Sequence, residues 1–318
     1  MSDAPAFGVD LGGTNVRIGV VDADATVVRQ VRHPTPETLD GIVDVIATSV
    51  VELQPLRREA RALGVGAAGM VDRDGVIHYS PNVPAFLEAP VRARLEDALG
   101  VPVRVDNDAN VAALAELEHG AARGVRDALV ITLGTGVGGG IVADGRVLRG
   151  AHGFGGEIGH FQVDPDGPRC ACGEPGHWEA VSSGTALGAL ARVWAVEGSL
   201  PSVLERAGGR PEVIEGTHVG DAALTGAADA IAVVREYARH VAIGLVGLVN
   251  ILDAELVVVS GGLITLGDVL LDPIREAFAG HLEGAPYRPE VPIVPAELGE
   301  DAGLVGAAEL VRQAADAR

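Results

Sequence analysis

The sequence contains no lysine: all 24 cationic side chains among its 318 residues are arginine. That absence excludes chemistry built on a lysine amine, including the phosphate-loop lysine and the Schiff base. Aromatic residues are scarce at 3%. Any core must therefore be aliphatic, and a hydrophobic content of 47% supplies the Ala, Val, Leu and Ile for it. Only two cysteines occur, Cys170 and Cys172. Their close spacing disfavours a disulfide and points to a metal site in a reducing compartment. Positive charge is in deficit, with 24 cationic against 44 acidic residues, a formal net charge of −20. Such a surface repels nucleic acid and anionic membranes, so neither is expected as a partner. The opening "MSDAPAFGVD" lacks a basic segment and a long apolar segment, so no signal peptide and a cytoplasmic location are expected. The most apolar stretch, "VAIGLVGLVNIL" (241–252), is too short to span a bilayer and reads as a buried helix.

What the chain does have is glycine, 44 residues of it, and strands alternating with helices. "AFGVDL", "GGTN" and "VRIGVVD" read as strand, turn, strand. "ALVITL", "GTGVGGG" and "IVADGRVL" repeat the design about 120 residues later. Two similar hairpins suggest a duplicated fold with one copy opening each domain. Helices are expected over 39–56, 90–100 and 110–124, from 183 onward, over 226–252 and at the C-terminus. Strands are expected over 62–72, 101–110 and 254–262. Residues 196–225, rich in Gly, Pro and Ser, read as a loop-heavy insertion. The pattern is α/β. A small first domain is expected over 1–112 and a larger one over 113–299, with the helix at about 300–318 packing back on the first.

Common phosphate loops place glycines between a strand and a helix, so that the helix N-terminus holds the anion. Here a strand follows each glycine cluster. The remaining donors are backbone N–H groups of a tight turn together with threonine hydroxyls. Two such turns, one per domain, suit a polyphosphate gripped from both sides. Asp10 at the first turn is placed to hold Mg²⁺ directly or through water. "DNDAN" (106–110) closes a strand and opens a helix, a rigid position with an open mouth. Asp108 there is a candidate general base, while Asp106, Asn107 and Asp108 are all good helix caps, of which capping explains one.

"GEIGHFQVDPDGPRCACGEPGHWE" (156–179) holds His160, Cys170, Cys172 and His177. Four N/S ligands close a tetrahedral Zn²⁺ shell and make the site structural. Glu157 and Glu179 bracket the cluster. Spacing leaves open whether they accept hydrogen bonds from ligand hydroxyls or are solvated surface acids. His160 is placed to bind metal with one ring nitrogen and donate to a ligand with the other.

The Asp-Leu-Gly-Gly-Thr pattern resembles the sugar-kinase, heat-shock-protein and actin superfamily of ATPases. "VVVSGGL" (257–263) resembles its adenosine motif, with Gly261 and Gly262 against the nucleoside. Taken together, "DLGGTN", "DNDAN", "LGTGVGGG", "GEIGH", "CACGEPGHWE" and "VVSGG" resemble the ROK family of repressors and sugar kinases in order and spacing, over nearly the whole chain. The resemblance implies a two-domain actin-like ATPase (ribonuclease-H-like) fold with the active site in the interdomain cleft. It implies Asp108 as catalytic base. Gly69, Asn82, Asn107, Glu157, His160 and Glu179 would hold the sugar. Gly12, Gly13, Thr14, Asn15, Thr135 and Gly136 would line the phosphates of ATP, with Mg²⁺ near Asp10. The last metal position, usually cysteine in the family, is His177, as in some glucokinase-like members, and Asn15 stands where a lysine is frequent. The implied activity is ATP-dependent phosphorylation of a hexose at its 6-hydroxyl, glucose first. Mannose, fructose or N-acetylmannosamine are alternatives, as is a non-catalytic sugar sensor. A homodimer or homotetramer is implied. Repressor members carry a winged helix-turn-helix ahead of the first hairpin, and with that hairpin at residue 7 none is expected here.

Overall fold

The structure, a computed structural model, describes residues 4–56, 59–80 and 83–316. The chain opens with β1 (Ala6–Leu11), β2 (Asn15–Val21) and β3 (Val27–Pro34), each antiparallel to the one before. Helix α1 (Leu39–Leu53) leads to β4 (Leu63–Ala67). The short pair β5 (Met70–Val71) and β6 (Ile77–Tyr79) follows, then α2 (Val91–Leu99), β7 (Val103–Asn107) and α3 (Asp108–His119). A second series begins with β8 (Ala128–Leu133), β9 (Val137–Ala143) and β10 (Arg146–Val147). Five helices come next: α4 (Trp178–Ser182), α5 (Gly184–Val196), α6 (Pro201–Arg206), α7 (Gly216–Leu224) and α8 (Ala228–Leu252). The chain ends with β11 (Leu256–Ser260), α9 (Asp268–His281), β12 (Ile293–Pro295) and α10 (Ala302–Asp316).

Both five-stranded sheets follow one plan. The first runs β3-β2-β1-β4-β7 and the second β10-β9-β8-β11-β12. In each, two strands parallel to the first extend the sheet on the side away from the hairpins. The chain separates into two compact units, one of residues 1–126, 140–156 and 297–318, the other of 127–139 and 157–296.

In the first unit, α1 is capped by Thr38, whose side chain accepts from the amide of Gly41. The buried stripe Ile42, Ile46, Val50 and Leu53 recurs at helical spacing. It packs with Phe7, Val9 and Leu11 of β1 and with Val91 and Leu95 of α2. A second cluster joins Ala6, Val21 and Ala115 to Leu304, Val305, Ala308 and Val311 of α10. That helix lies almost backbone to backbone on the sheet. A methyl at Gly8 would overlap the carbonyl of Leu304, and one at Gly64 that of Ala307.

In the second unit, α8 presents a buried stripe through Val234, Tyr237, Val241 and Leu245. Trp178, fully buried, donates from its indole N–H to the carbonyl of His240 at 3.1 Å. The segment expected to be loop-heavy, 196–225, instead holds α6 and α7. Pro201 sits in the first turn of α6, where its missing N–H costs nothing. Helix α3 also starts earlier than expected, at Asp108. No helix among the described residues is long and apolar enough to cross a membrane.

Candidate functional site

The parallel register of the first sheet brings one group of candidates to a common edge. Asp10 pairs with Gly66 and Leu11 with Ala67, while Gly66 pairs with Asp106 and Ala67 with Asn107. Thus the ends of β1, β4 and β7 lie side by side, at the carboxyl edge where open α/β sheets bind ligands. The turn from β1 to β2 exposes Gly13 and Thr14. It is closed by the amide of Gly12 donating to the carbonyl of Asn15 at 3.1 Å. Thr35 braces it, its hydroxyl donating to the carbonyl of Gly12 at 2.7 Å. Asn107 is the N-cap of α3, its side-chain oxygen accepting from the amides of Ala109 and Asn110 at 2.9 and 3.2 Å. Its amide group donates to the carbonyl of Gly69 at 3.1 Å. Gly69 has φ +127°, a value that disfavours any side chain. Asn82 lies outside the described residues.

Asp108 is the first residue of α3 and is partly reachable by solvent. Burial pushes its carboxyl up to about 6, and the negative charge of Asp10 adds to the push. The amide of Ala109, donating at 2.9 Å, pulls the other way. Asp10 is itself raised by burial, opposed by the charges of Arg17 and Arg32. Arg17 approaches it to 3.6 Å. Two carboxylates at one sheet edge, with one held near neutrality, form a pair suited to a metal-bearing anion and a proton acceptor.

The second unit builds its own group. The amide of Gly134 donates to the carbonyl of Gly136 at 3.0 Å, which closes the turn from β8 to β9 with Thr135 exposed at its tip. The first residues of α5 meet this turn. Gly184 donates from its amide to the carbonyl of Gly134 at 2.7 Å, and the Thr185 hydroxyl donates to the carbonyl of Thr135 at 2.8 Å. Gly261, with φ +90°, lies against the backbone of Leu133. A cavity of about 640 Å³ opens here, lined by Gly134, Thr135, Thr185, Thr217, Asp221 and Gly262 among others. The contribution of α7 escapes a reading of the sequence, because it comes from 196–225, whose composition suggests loops, whereas α5 falls where a helix was expected.

His160, Cys170, Cys172 and His177 converge, their ligand atoms all within 4.8 Å of one another. Nδ1 of His160 lies 3.3 Å from Nδ1 of His177 and 3.7 Å from Sγ of Cys170. Sγ of Cys172 lies 3.2 Å from Nδ1 of His177. Zn–S and Zn–N bonds of ~2.3 and ~2.0–2.1 Å give tetrahedral edges of about 3.3–3.8 Å. The donor set therefore fits Zn²⁺. Without a cation, burial pushes the Cys170 thiol up to about 12, and its bond to Glu179 pushes in the same direction. A bound dication reverses that preference. Glu179 links this cluster to the second hairpin. Its Oε1 accepts from Sγ of Cys170 at 3.0 Å, and its Oε2 accepts from the amide of Val137 at 2.9 Å. Glu157 is exposed, and its carbonyl accepts from the amide of His160 at 3.1 Å.

Two sheets of one plan, each with a glycine hairpin at its head, constitute the actin-like ATPase fold. Residues 6–314 match the ROK family, and the chain belongs to it. It is 41% identical over 310 residues to the glucokinase of Streptomyces coelicolor, covering 96% of this chain and 97% of that one. A crystal structure of a ROK family glucokinase from Streptomyces griseus, in complex with glucose and AMPPNP, superposes with a TM-score of 0.86 at 40% identity, covering 98% of this chain and all of that one. A ROK hexokinase from Thermus thermophilus gives a TM-score of 0.79 at 34% identity, over 99% of this chain and 100% of its own.

Proposed function

We propose that this protein transfers the γ-phosphoryl group of ATP to the 6-hydroxyl of glucose, with Asp108 as the general base. That the chain is an ATP-dependent sugar kinase follows from its family and from relatives at 40% identity and above that span it end to end. The observation that carries the finer reading is Asp108 itself. It is a carboxyl held near 6 at the head of α3, beside Asp10 and next to the capping Asn107. At pH 7 a group with that value is deprotonated by roughly ten to one, yet basic enough to take a proton from an alcohol as the phosphoryl group moves.

The remaining roles follow from placement. Asn107, Gly69, Glu157, His160 and Glu179 are assigned to the sugar, with Asn82 assigned on the sequence alone. The exposed turns at Gly12, Gly13, Thr14 and Asn15 and at Thr135 and Gly136 offer amides and hydroxyls to the phosphates. Gly261 and Gly262 border the cavity assigned to the nucleoside. Asp10 would hold Mg²⁺, which offsets the charge of the β- and γ-phosphates. His160, Cys170, Cys172 and His177 would hold Zn²⁺ as a structural ion that fixes the loop around it. Coupled assay of glucose 6-phosphate formation from ATP tests the reading directly. Turnover is expected with wild type and is expected to vanish in Asp108→Asn while glucose still binds. Asp108→Asn within a few-fold of the wild-type kcat would refute the base assignment.

A further inference from the structure

We infer that Arg149 is a positioning residue for the turn carrying Asn107 and Asp108, acting through an ion pair with the buried carboxylate of Asp106. Asp106 is only 5% exposed. A carboxylate so placed must have its oxygens paired. Its Oδ1 accepts from the amide of Asn107 at 2.8 Å and from Nδ2 of Asn110 at 3.1 Å. Its Oδ2 accepts from Nε of Arg149 at 2.5 Å. The arginine is itself held. Its Nη1 donates to the carbonyl of Val147 at 3.3 Å, and its own carbonyl accepts from the amide of Gly155 at 3.0 Å. The next carbonyl, that of Gly150, accepts from Arg73 at 2.5 Å.

Arg149 thus stands at the neck of a closed loop and reaches to the end of β7. The contact at Oδ2 fixes how the Asp106 carboxylate is turned, and so presents Oδ1 to Asn107 and Asn110. Asn110 is 1% exposed and its other side-chain atom, Oδ1, has no hydrogen-bond partner, so Asp106 is its anchor. Asn107 in turn caps the helix whose first residue is Asp108. Removing the guanidinium leaves a buried carboxylate that must find water or a proton, and either changes the turn. Displacements of about 1 Å at a reacting group can cost ~100-fold in rate. The inference rests on Asp108 being the base.

The test measures kcat, the KM for glucose and for ATP, and the thermal midpoint of Arg149→Gln, Asp106→Asn, the double variant and Asp108→Asn. Arg149→Gln is expected to lower kcat roughly 10- to 100-fold with the KM for ATP changed by less than about 3-fold, in enzyme that is still folded. The double variant is expected to be faster than Arg149→Gln alone, since it buries no unpaired charge. A kcat within about 3-fold of wild type in Arg149→Gln, beside an inactive Asp108→Asn, overturns the positioning role alone. So does a loss that only tracks the unfolded fraction, or a double variant no faster than the single one. Turnover retained in Asp108→Asn removes the base that is being positioned and overturns both readings.

Discussion

Asp108→Asn should cost activity and add stability, and the structure sets the size and the pH dependence of the gain. The carboxyl is raised from 3.8 to about 6 by burial and by the charge of Asp10. A folded-state value above the unfolded one means that the folded protein binds the proton more tightly. Its stability therefore falls as pH rises from about 3.8 to about 6, and the full penalty persists above that. Linkage puts the penalty at about 3 kcal/mol at pH 7.5, roughly half of that at pH 5 and well under ~1 kcal/mol at pH 4. Asparagine carries no charge to desolvate and none to oppose Asp10. It loses the charge on the acceptor facing the amide of Ala109, which returns about 1 kcal/mol. The net expectation is a gain of about 2 kcal/mol at pH 7.5 that vanishes toward pH 4. Thermal melts or urea titrations of both proteins at three pH values measure it. A variant no more stable than wild type at pH 7.5, or a difference that does not shrink with acid, refutes the argument.

Metal analysis of protein purified without chelator should find one zinc per chain, and either Cys170→Ser or prolonged chelation should lower the thermal midpoint by several degrees. His78 donates to Asp72 at 2.9 Å and to Glu88 at 3.0 Å, and the bonds to those two carboxylates raise its pKa. Its contribution is therefore fully present below about 6.5 and lost as pH rises through the raised folded value. The stability difference between wild type and His78→Gln should be larger at pH 6 than at pH 9, and an equal difference at both would discount the imidazolium. Gly64→Ala should drive a methyl into the carbonyl of Ala307, costing about 3 kcal/mol or more. A melting temperature unchanged by that substitution would mean that α10 does not sit so close to β4.

Much of the architecture was readable because local rules and tertiary packing agree. Helix α2 ends where Gly100 takes a left-handed φ of +66°, and the two glycine hairpins announce the repeated sheet plan. The misreading of 196–225 has a physical source. Gly198, Gly208 and Gly209 do serve turns, at φ of +79°, +65° and +76°, but Gly216 and Gly220 lie inside α7, where Gly216 lets the helix lie against the backbone of Gly184. Within "DNDAN", capping accounts for one residue, Asn107, and the structure gives Asp106 a different task from Asp108. The partner of Asp106 lies 43 residues away in the chain and belongs to no recognisable motif. The metal ligands were visible because they fall within a span of eighteen residues. That α5 and α7 line one cavity with Gly134 and Gly262 was hidden because those segments are far apart in the chain.

Because the last helix of the chain covers the sheet made from the first strands, synthesis and completion run in different orders. Every segment of the second unit has been synthesised before residue 297, whereas the first unit still lacks α10. At ~5–20 residues per second, the apolar face around Ala6, Val21 and Ala115 waits on the order of 10–40 s for Leu304, Val305 and Ala308 to arrive. A nascent chain of this protein thus carries an unsealed patch until the fifteen residues of α10 have been made, which makes that helix the step that seals the first unit.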